Sequence, residues 1–136
     1  ADEILLVVTP EPTSITDAYA LIKMISKRNS KKIIKLIINR AESLDEANQI
    51  IDKISLVAEK FLSMKLYSLG YVLKDDAVPK AVKQQQPLVL AYPKSQAARN
   101  IREICSRLAE SETWKSGYQE SGIKGFMQRL AGFFSG

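Results

Sequence analysis

The chain has 136 residues, of which 46% are hydrophobic and 26% charged, with six glycines and five prolines. This composition excludes disordered, collagen-like and low-complexity proteins and predicts one folded domain with a sizeable core. There is no histidine and only one cysteine, which excludes Ser-His-Asp and Cys-His catalytic sites, histidine-containing zinc sites and an internal disulfide framework. The formal net charge of +5 is small enough for an ordinary solvated surface to explain it.

The cysteine content and the apolar runs also indicate the cellular setting. A lone thiol and the absence of an N-terminal apolar signal stretch favour a reducing, cytoplasmic location. No apolar run approaches the length of about 18 residues that a transmembrane helix needs. Cys105 lies on the apolar face of a predicted helix, so we interpret it as a core residue rather than a reactive thiol.

Three short apolar runs predict β-strands at residues 4–8, 33–38 and 66–73. Unbroken runs of Ile, Val and Leu are typical of strands that are covered on both faces, as in parallel sheets. Each pair of runs flanks a helical pattern, so the expected arrangement is βαβαβ with right-handed crossovers. The run at 4–8 is the most apolar, and we expect another strand or a partner to cover that edge of the sheet.

The segments between and after the strands show helical periodicity. Ser14 and Asp17 resemble a capping box, and Ser43 and Glu46 match one fully. Helices are predicted at residues 13–28, 43–62, 78–85 and 95–109. The predicted domain organisation is a globular part at 1–110, a polar linker at 111–122 and an amphipathic helix at 123–136.

The loops that follow the strands, at residues 9–12, 39–41 and 74–76, are the candidate ligand site, because open parallel sheets bind ligands at the carboxyl ends of their strands. The sequence contains neither G-x-x-x-x-G-K-[ST] nor G-x-G-x-x-G, so no cradle for a triphosphate is predicted in this chain. Two structural interpretations remain open at these loops. Asn39 can simply start a turn, and Asp75 and Asp76 can cap the helix that follows them.

Three segments resemble the carboxyl half of a MinD/ParA-type deviant-Walker P-loop ATPase, over residues 1 to about 108. The segments are ADEILLVVTPEPTSITDAYALIK, LIINRA and LGYVLKDDAVPKAV. Residues 9–20 are most similar to the FlhG (YlxH) branch, which controls flagellar number and placement. The resemblance implies an α/β fold with a partial, open, mostly parallel sheet, the carboxyl half of a P-loop NTPase domain, and it implies that the tail is a membrane-targeting helix.

The resemblance also implies roles for particular residues. Asn39 would read the adenine edge, Arg40 would pack on the plane of the base, and Leu73, Lys74 and Asp75 would line its far side. Glu11 and Asp17 would lie on the face where two ATP-bound subunits meet. In this family the amino half carries the P-loop, the switch regions and the hydrolytic aspartate. We therefore expect no catalytic residue here, and neither ATP hydrolysis nor tight nucleotide binding by this chain alone.

The tail has the pattern of an interfacial amphipathic helix. Two glycines, Gly125 and Gly132, make it a poor helix by itself, so one copy should bind a membrane weakly, while two copies in a dimer gain roughly 10²–10⁴ in avidity. Docking of the tail on the chain's own sheet or on a partner groove is the alternative. The predicted membrane residues are Ile123, Phe126, Met127, Leu130, Phe133 and Phe134 on the apolar face, with Lys124 and Arg129 opposite.

The resemblance implies part of an ATPase that regulates flagellar number and placement by ATP-dependent dimerisation and reversible association with the inner face of the cell membrane. Its cofactors would be ATP or ADP with Mg in the intact protein. Its partners would be a second copy, the flagellar GTPase FlhF, flagellar switch-ring proteins and an anionic membrane surface. The alternative is a non-catalytic interaction module that uses the sheet edge and the C-terminal helix. The basic residues of 77–107 are interpreted as a solvated helix surface, without specific nucleic-acid binding.

Overall fold

A computed structural model of the chain describes residues 3–28 and 32–115. It has the predicted α/β architecture, and its residues form two compact units, one up to Lys74 and one from Asp75 onward. The elements of the first unit are β1 (Glu3–Val8), α1 (Pro12–Arg28), β2 (Ile33–Ala41), α2 (Leu44–Leu62) and β3 (Leu66–Leu73). Those of the second are α3 (Ala77–Lys83), α4 (Leu88–Ala91) and α5 (Gln96–Lys115).

The sheet of the first unit is parallel, in the order β1-β2-β3, which confirms the predicted βαβαβ arrangement. β1 and β2 pair without interruption, from Glu3 opposite Ile33 to Val8 opposite Ile38. The register of β2 and β3 shifts between Leu36 and Ile37. There the backbone of Gly70 adopts a φ of 147°, which a residue without a Cβ atom accommodates easily.

One face of this sheet carries the core. Alternate residues of the strands point to this face, and both α1 and α2 pack on it with the apolar stripe that their 3.6-residue period predicts. Burial of each large side chain contributes about 1.5–3 kcal/mol. The core residues include Leu6, Val8, Ile34, Leu36 and Ile38 from the strands, Ala18 and Ile22 from α1, and Ala47, Ile50, Ile54 and Ala58 from α2.

The opposite face of β1 differs from the prediction that this strand is covered on both sides. Leu5 and Val7 are 46% and 55% exposed in the part of the chain that the structure describes. β1 lies at the edge of the sheet, and the helices that flank it pack on the other face, so its alternate side chains reach solvent. On the same face Lys35 is only 5% exposed, and its ammonium lies 3.1 Å from the Glu3 carboxylate.

The two predicted capping boxes have different outcomes. Ser43 does cap α2, because its hydroxyl accepts a hydrogen bond from the Glu46 N–H at 3.1 Å. The capping box at Ser14 is wrong: α1 begins at Pro12, a residue suited to a first helical turn, so Ser14 already lies inside the helix. The Ser14 hydroxyl instead accepts the N–H of Thr9 at 3.0 Å, which secures the loop after β1.

The second unit contains a longer final helix than predicted. α5 continues to Lys115, so residues 111–115 of the predicted linker are helical. The polar composition that indicated a linker is compatible with a helix, because Glu and Lys are good helix formers and the first glycine after Ala109 is Gly117. The rest of that linker and the amphipathic tail at 123–136 lie outside the described residues.

Two further observations concern predictions from composition. Cys105 is half-buried, and burial raises the pKa of its thiol above the ordinary value, which lowers the population of the reactive thiolate. Across the described ranges, no helix combines the length and the apolar character needed to cross a bilayer.

Candidate functional site at the carboxyl edge of the sheet

The three loops at the carboxyl ends of the strands meet at a cleft of about 240 Å³. Three residues of the predicted site line this cleft, namely Glu11 after β1, Arg40 near the end of β2 and Lys74 after β3. The cleft also contains Glu42 and Glu46, which sequence reasoning missed. Glu46 had a sequence signal only as a capping residue, while Glu42 had none.

Arg40 has an unusual backbone conformation, with a φ of 59°. It is the extra residue of a β-bulge, because Asn39 pairs with Val72 and Ala41 with Leu73, which leaves Arg40 unpaired in the register. The left-handed conformation costs a non-glycine residue about 1–2 kcal/mol. The Oδ1 atom of Asn39 accepts the N–H of Arg40 at 3.0 Å and so satisfies the bulged residue. Bulges of this kind redirect a side chain next to a functional site.

Two ion pairs join neighbouring loops across the cleft. Arg40 Nη1 lies 3.7 Å from Glu11 Oε1, and Lys74 Nζ lies 3.4 Å from Glu42 Oε1. All four side chains are more than half exposed, and exposed pairs contribute only about 0–1 kcal/mol to stability. The two pairs therefore add little to the stability of the fold, and they show that charged side chains of neighbouring loops lie close together at the cleft.

Two hydrogen bonds hold the loop after β2, one with the residue that follows β3 and one with α2. The Lys74 N–H donates to the carbonyl of Ala41 at 2.8 Å, which extends the contact of β2 and β3 beyond the last paired residues. The Glu46 carboxylate accepts the N–H of Glu42 at 3.0 Å, so the start of α2 holds the same loop. The backbone around Arg40 is thus anchored, while its side chain is exposed.

The other predicted residues of the first unit lie in different surroundings. Asn39 is half-buried, and its carboxamide retains a carbonyl lone pair and two N–H donors beyond the bond to Arg40. Leu73 is half-buried and packs against the core. Asp17 is exposed on α1 and does not line the cleft. The structure therefore brings Glu11, Arg40 and Lys74 together at the cleft, whereas Asn39, Leu73 and Asp17 do not line it.

Asp75 is the first residue of the second unit, and its carboxylate accepts two hydrogen bonds from backbone N–H groups. Its Oδ1 accepts the N–H of Ala77 at 2.9 Å, and its Oδ2 accepts the N–H of Ala97 at 3.0 Å. These hydrogen bonds, chiefly that of Ala97 and then that of Ala77, hold the pKa of the Asp75 carboxyl below its ordinary value. The capping interpretation is confirmed for Asp75 and is wrong for Asp76, whose side chain makes no cap bond to α3.

The guanidinium plane of Arg40, which lines the cleft, is of a kind that stacks on aromatic bases. The Asn39 carboxamide, which precedes Arg40 but does not line the cleft, is of a kind that hydrogen-bonds to a base edge. For Mg²⁺, the described residues contain no group of three or more carboxylate or thiol side chains that could hold the ion.

No protein-family model matches the chain. Individual known proteins, however, are similar to it. The antiactivator FleN of Pseudomonas aeruginosa is 34% identical over 131 residues, which are 96% of this chain and 46% of FleN. An uncharacterised ATP-binding protein of Methanocaldococcus jannaschii is 36% identical over an alignment that covers 97% of this chain and 48% of that protein.

Two further relatives carry names that describe positioning. The flagellum site-determining protein YlxH of Helicobacter pylori is 30% identical over 96% of this chain and 44% of its own length. The septum site-determining protein MinD of Bacillus subtilis is 30% identical over 98% of this chain and 48% of its own length. The chain thus spans about half the length of the relatives it matches. Similarity over nearly all of its residues, together with the parallel α/β sheet, confirms the resemblance of the chain to MinD/ParA-type proteins, including FlhG-like ones.

Proposed function

We propose that this chain is the carboxyl half of a MinD/ParA-type ATPase that regulates flagellar number and placement, and that its cleft receives the adenine of ATP. The observation that carries the proposal is the convergence of Arg40, Lys74 and Glu11 at the carboxyl edge of the sheet. Ligands of open parallel sheets bind at this edge, and the relatives of the chain include an ATP-binding protein and site-determining proteins.

The size and chemistry of the cleft support the base as the bound part. Pockets for whole ligands usually measure about 300–1,000 Å³, so a cleft of about 240 Å³ suits one portion of a nucleotide. In the proposed arrangement Asn39 offers a donor and an acceptor to N6 and N7 of adenine. Arg40 stacks on the base plane, and Leu73 and Lys74 border the far side.

The proposed reaction of the intact protein is hydrolysis of ATP with Mg, coupled to dimerisation. The phosphates and the metal are assigned to the amino half of the protein, because this chain has no P-loop motif. Glu11 and Asp17, both exposed, are proposed to lie on the dimer face. The chain contributes base recognition and subunit contacts, and no chemical step is assigned to it.

The proposed cellular cycle uses the tail. We assign the intact protein to the cytoplasm, with reversible binding to the inner face of the cell membrane through residues 123–136. FlhF, switch-ring proteins, a second copy and anionic lipid are the proposed partners. The support for the membrane step is the amphipathic pattern of the sequence, with Phe126, Phe133 and Phe134 on one face and cations opposite.

Nucleotide titration of the full-length protein tests the adenine site. Asn39→Ala should weaken Mg-ATP binding about 5- to 150-fold, the equivalent of about 1–3 kcal/mol for a bidentate contact to a base, and should leave GTP binding unchanged. Asn48→Ala, an exposed change on α2 outside the cleft, is the matched control. Unchanged ATP affinity in a folded Asn39→Ala protein would contradict the adenine assignment.

Vesicle flotation tests the tail. Phe126→Asp and Phe134→Asp should release the full-length protein from anionic vesicles, because each places a charge on the apolar face. Gln128→Asp adds the same charge to the polar side and should have a smaller effect. Equal losses for Gln128→Asp and Phe126→Asp would indicate that binding depends on net charge and not on insertion of the apolar face.

The alternative function, a non-catalytic interaction module, is favoured by one observation. Leu5 and Val7 leave an apolar surface on the edge strand of the sheet, and such surfaces mark contacts with other chains or segments. The ATP titration distinguishes the two functions, since an interaction module has no requirement for Mg-dependent ATP binding in the full-length protein.

A further inference from the structure

The amino edge of the sheet, where the strands begin, is a basic surface. α1 leads into β2 and α2 leads into β3, so the last turns of both helices lie at this edge of the parallel sheet. The candidate site lies at the opposite edge, where the strands end. The cations of the amino edge are Lys27 and Arg28 at the end of α1, Lys32 before β2, Lys60 in the last turn of α2 and Lys65 before β3.

Little negative charge offsets these cations. None of them forms an ion pair with a carboxylate in the part of the chain that the structure describes. The carboxylate of Glu3, at the start of β1, lies 3.1 Å from the Lys35 ammonium and is already paired. Glu59 is the one carboxylate in the last turn of α2. The helix dipole explains cations in the last turns of α1 and α2, but not Lys32 and Lys65, which follow the helix ends.

Phe61 lies next to Lys60 and is 76% exposed, the largest exposed fraction among the large hydrophobic side chains that the structure describes. Its neighbour Leu62 packs against the core. Beyond the helix, the Lys65 ammonium lies 5.9 Å from the centre of the Tyr67 ring, which is 47% exposed. Exposed aromatic rings beside lysines suit the boundary between water and lipid, where the rings enter the apolar layer and the ammonium groups stay in water.

The exposure of Phe61 has a different origin from the open face of β1. Leu5 and Val7 lie on the face of the sheet opposite to α1 and α2. α2 packs on β2 and β3. A segment of a larger protein that covers Leu5 and Val7 therefore lies across the sheet from α2, and it leaves Phe61 and its lysines accessible.

We propose that the amino edge of the sheet binds anionic membrane lipid, with Phe61 inserted between the lipids and Lys60 and Lys65 at the headgroups. The inference goes beyond the proposed function, which assigns membrane binding to residues 123–136 alone. The exposed ring favours lipid over nucleic acid, because a duplex backbone attracts the cations without using Phe61. A weak interfacial anchor needs a second signal for stable attachment, and a lysine near an anionic surface strengthens binding about fivefold.

Flotation of the full-length protein on vesicles tests this contact. The vesicles contain phosphatidylcholine either alone or mixed with phosphatidylglycerol, and the measured quantity is the membrane partition coefficient. Lys60→Gln should lower partition onto the anionic vesicles about fivefold. Phe61→Ala should lower it about three- to tenfold, since insertion buries part of a phenylalanine side chain. Both side chains are exposed, so the fold should survive, which circular dichroism verifies.

Two matched changes on α2 serve as controls. Lys53→Gln removes an exposed cation from the same face of the helix, two turns or about 10 Å before Lys60. That separation exceeds the Debye length of about 8 Å at physiological salt. Leu44→Ala shortens a side chain that is 48% exposed at the opposite end of α2. Both variants should partition like the wild type.

Equal losses for Lys53→Gln and Lys60→Gln would overturn the contact, as would a Phe61→Ala protein that binds vesicles like the wild type. Preferential binding of duplex DNA over anionic vesicles, lost in Lys60→Gln, would also overturn it. If Phe126→Asp releases the protein and the amino-edge changes do not, the tail assignment stands and the amino-edge contact fails. If the amino-edge changes weaken binding and Phe126→Asp does not, the amino-edge contact stands and the tail assignment fails.

Discussion

Asp75 illustrates how a single carboxylate can join two helices. It accepts the N–H of Ala77 at the start of α3 and that of Ala97 in the first turn of α5. Asp75→Ala leaves both donors without this partner, and we expect it to lower the free energy of unfolding by about 1–3 kcal/mol. Asp76→Ala, at the next position, removes no cap bond and should stay within about 0.5 kcal/mol of the wild type. Urea unfolding followed by circular dichroism measures both.

The lowered pKa of Asp75 predicts that the stability of the fold depends on pH. Because the folded state holds the pKa of Asp75 below its ordinary value of 3.8, the folded chain binds this proton more weakly than the unfolded chain does. The contribution of Asp75 is therefore complete above about pH 4 and is lost as the pH falls through the lowered folded value. The stability difference between wild type and Asp75→Asn should shrink over that acidic range. A difference that is constant from pH 6 down to pH 2 would contradict the assignment.

At the scale of the helices, similar sequence patterns at Ser14 and Ser43 led to different structures. Ser43→Ala should cost about 0.5–2 kcal/mol, because its hydroxyl caps α2 through the Glu46 N–H. Ser55→Ala, in the middle of the same helix, should be neutral or slightly stabilising, since alanine has the higher helix propensity. Thermal unfolding of the two variants tests this. Equal losses at Ser43 and Ser55 would show that the cap contributes nothing specific.

The elements were predictable where neighbouring residues determine them. The apolar runs located all three strands, and the 3.6-residue period located α1, α2 and α5, because these patterns depend on contiguous residues. The end of α5 was missed, since a polar segment without Gly or Pro can be either helix or linker.

The cleft was predictable only in part for a different reason. Lys74 and Glu42 meet through the register of β2 and β3, which a sequence pattern does not specify. The left-handed conformation of Arg40 was likewise not predictable, because the residue at that position is not a glycine. The resemblance pointed to Arg40 and Glu11 separately, and the fold brought them into one ion pair.

At the scale of the whole molecule, the sequence and the fold together explain why one face of β1 is apolar and exposed. The apolar run predicted a strand covered on both faces, and the described fold covers only the face that meets α1 and α2. The chain spans about half the length of its relatives. The proposal of a larger ATPase accounts for this surface, because such a protein has further residues available to cover it.

Self-association of the chain by itself is the measurement that addresses this surface. The double change Leu5→Lys and Val7→Lys should reduce association in sedimentation velocity, because charge on an edge strand opposes edge-to-edge pairing. It should cost little stability, since both side chains are already about half exposed. Leu56→Lys, at a residue of α2 that is 53% exposed, is the matched control. It should reduce association less, because a helix surface has no unpaired strand backbone to template pairing. If Leu56→Lys dissociates the chain as well as the β1 changes do, the association depends on general apolar exposure and the edge of the sheet has no special role.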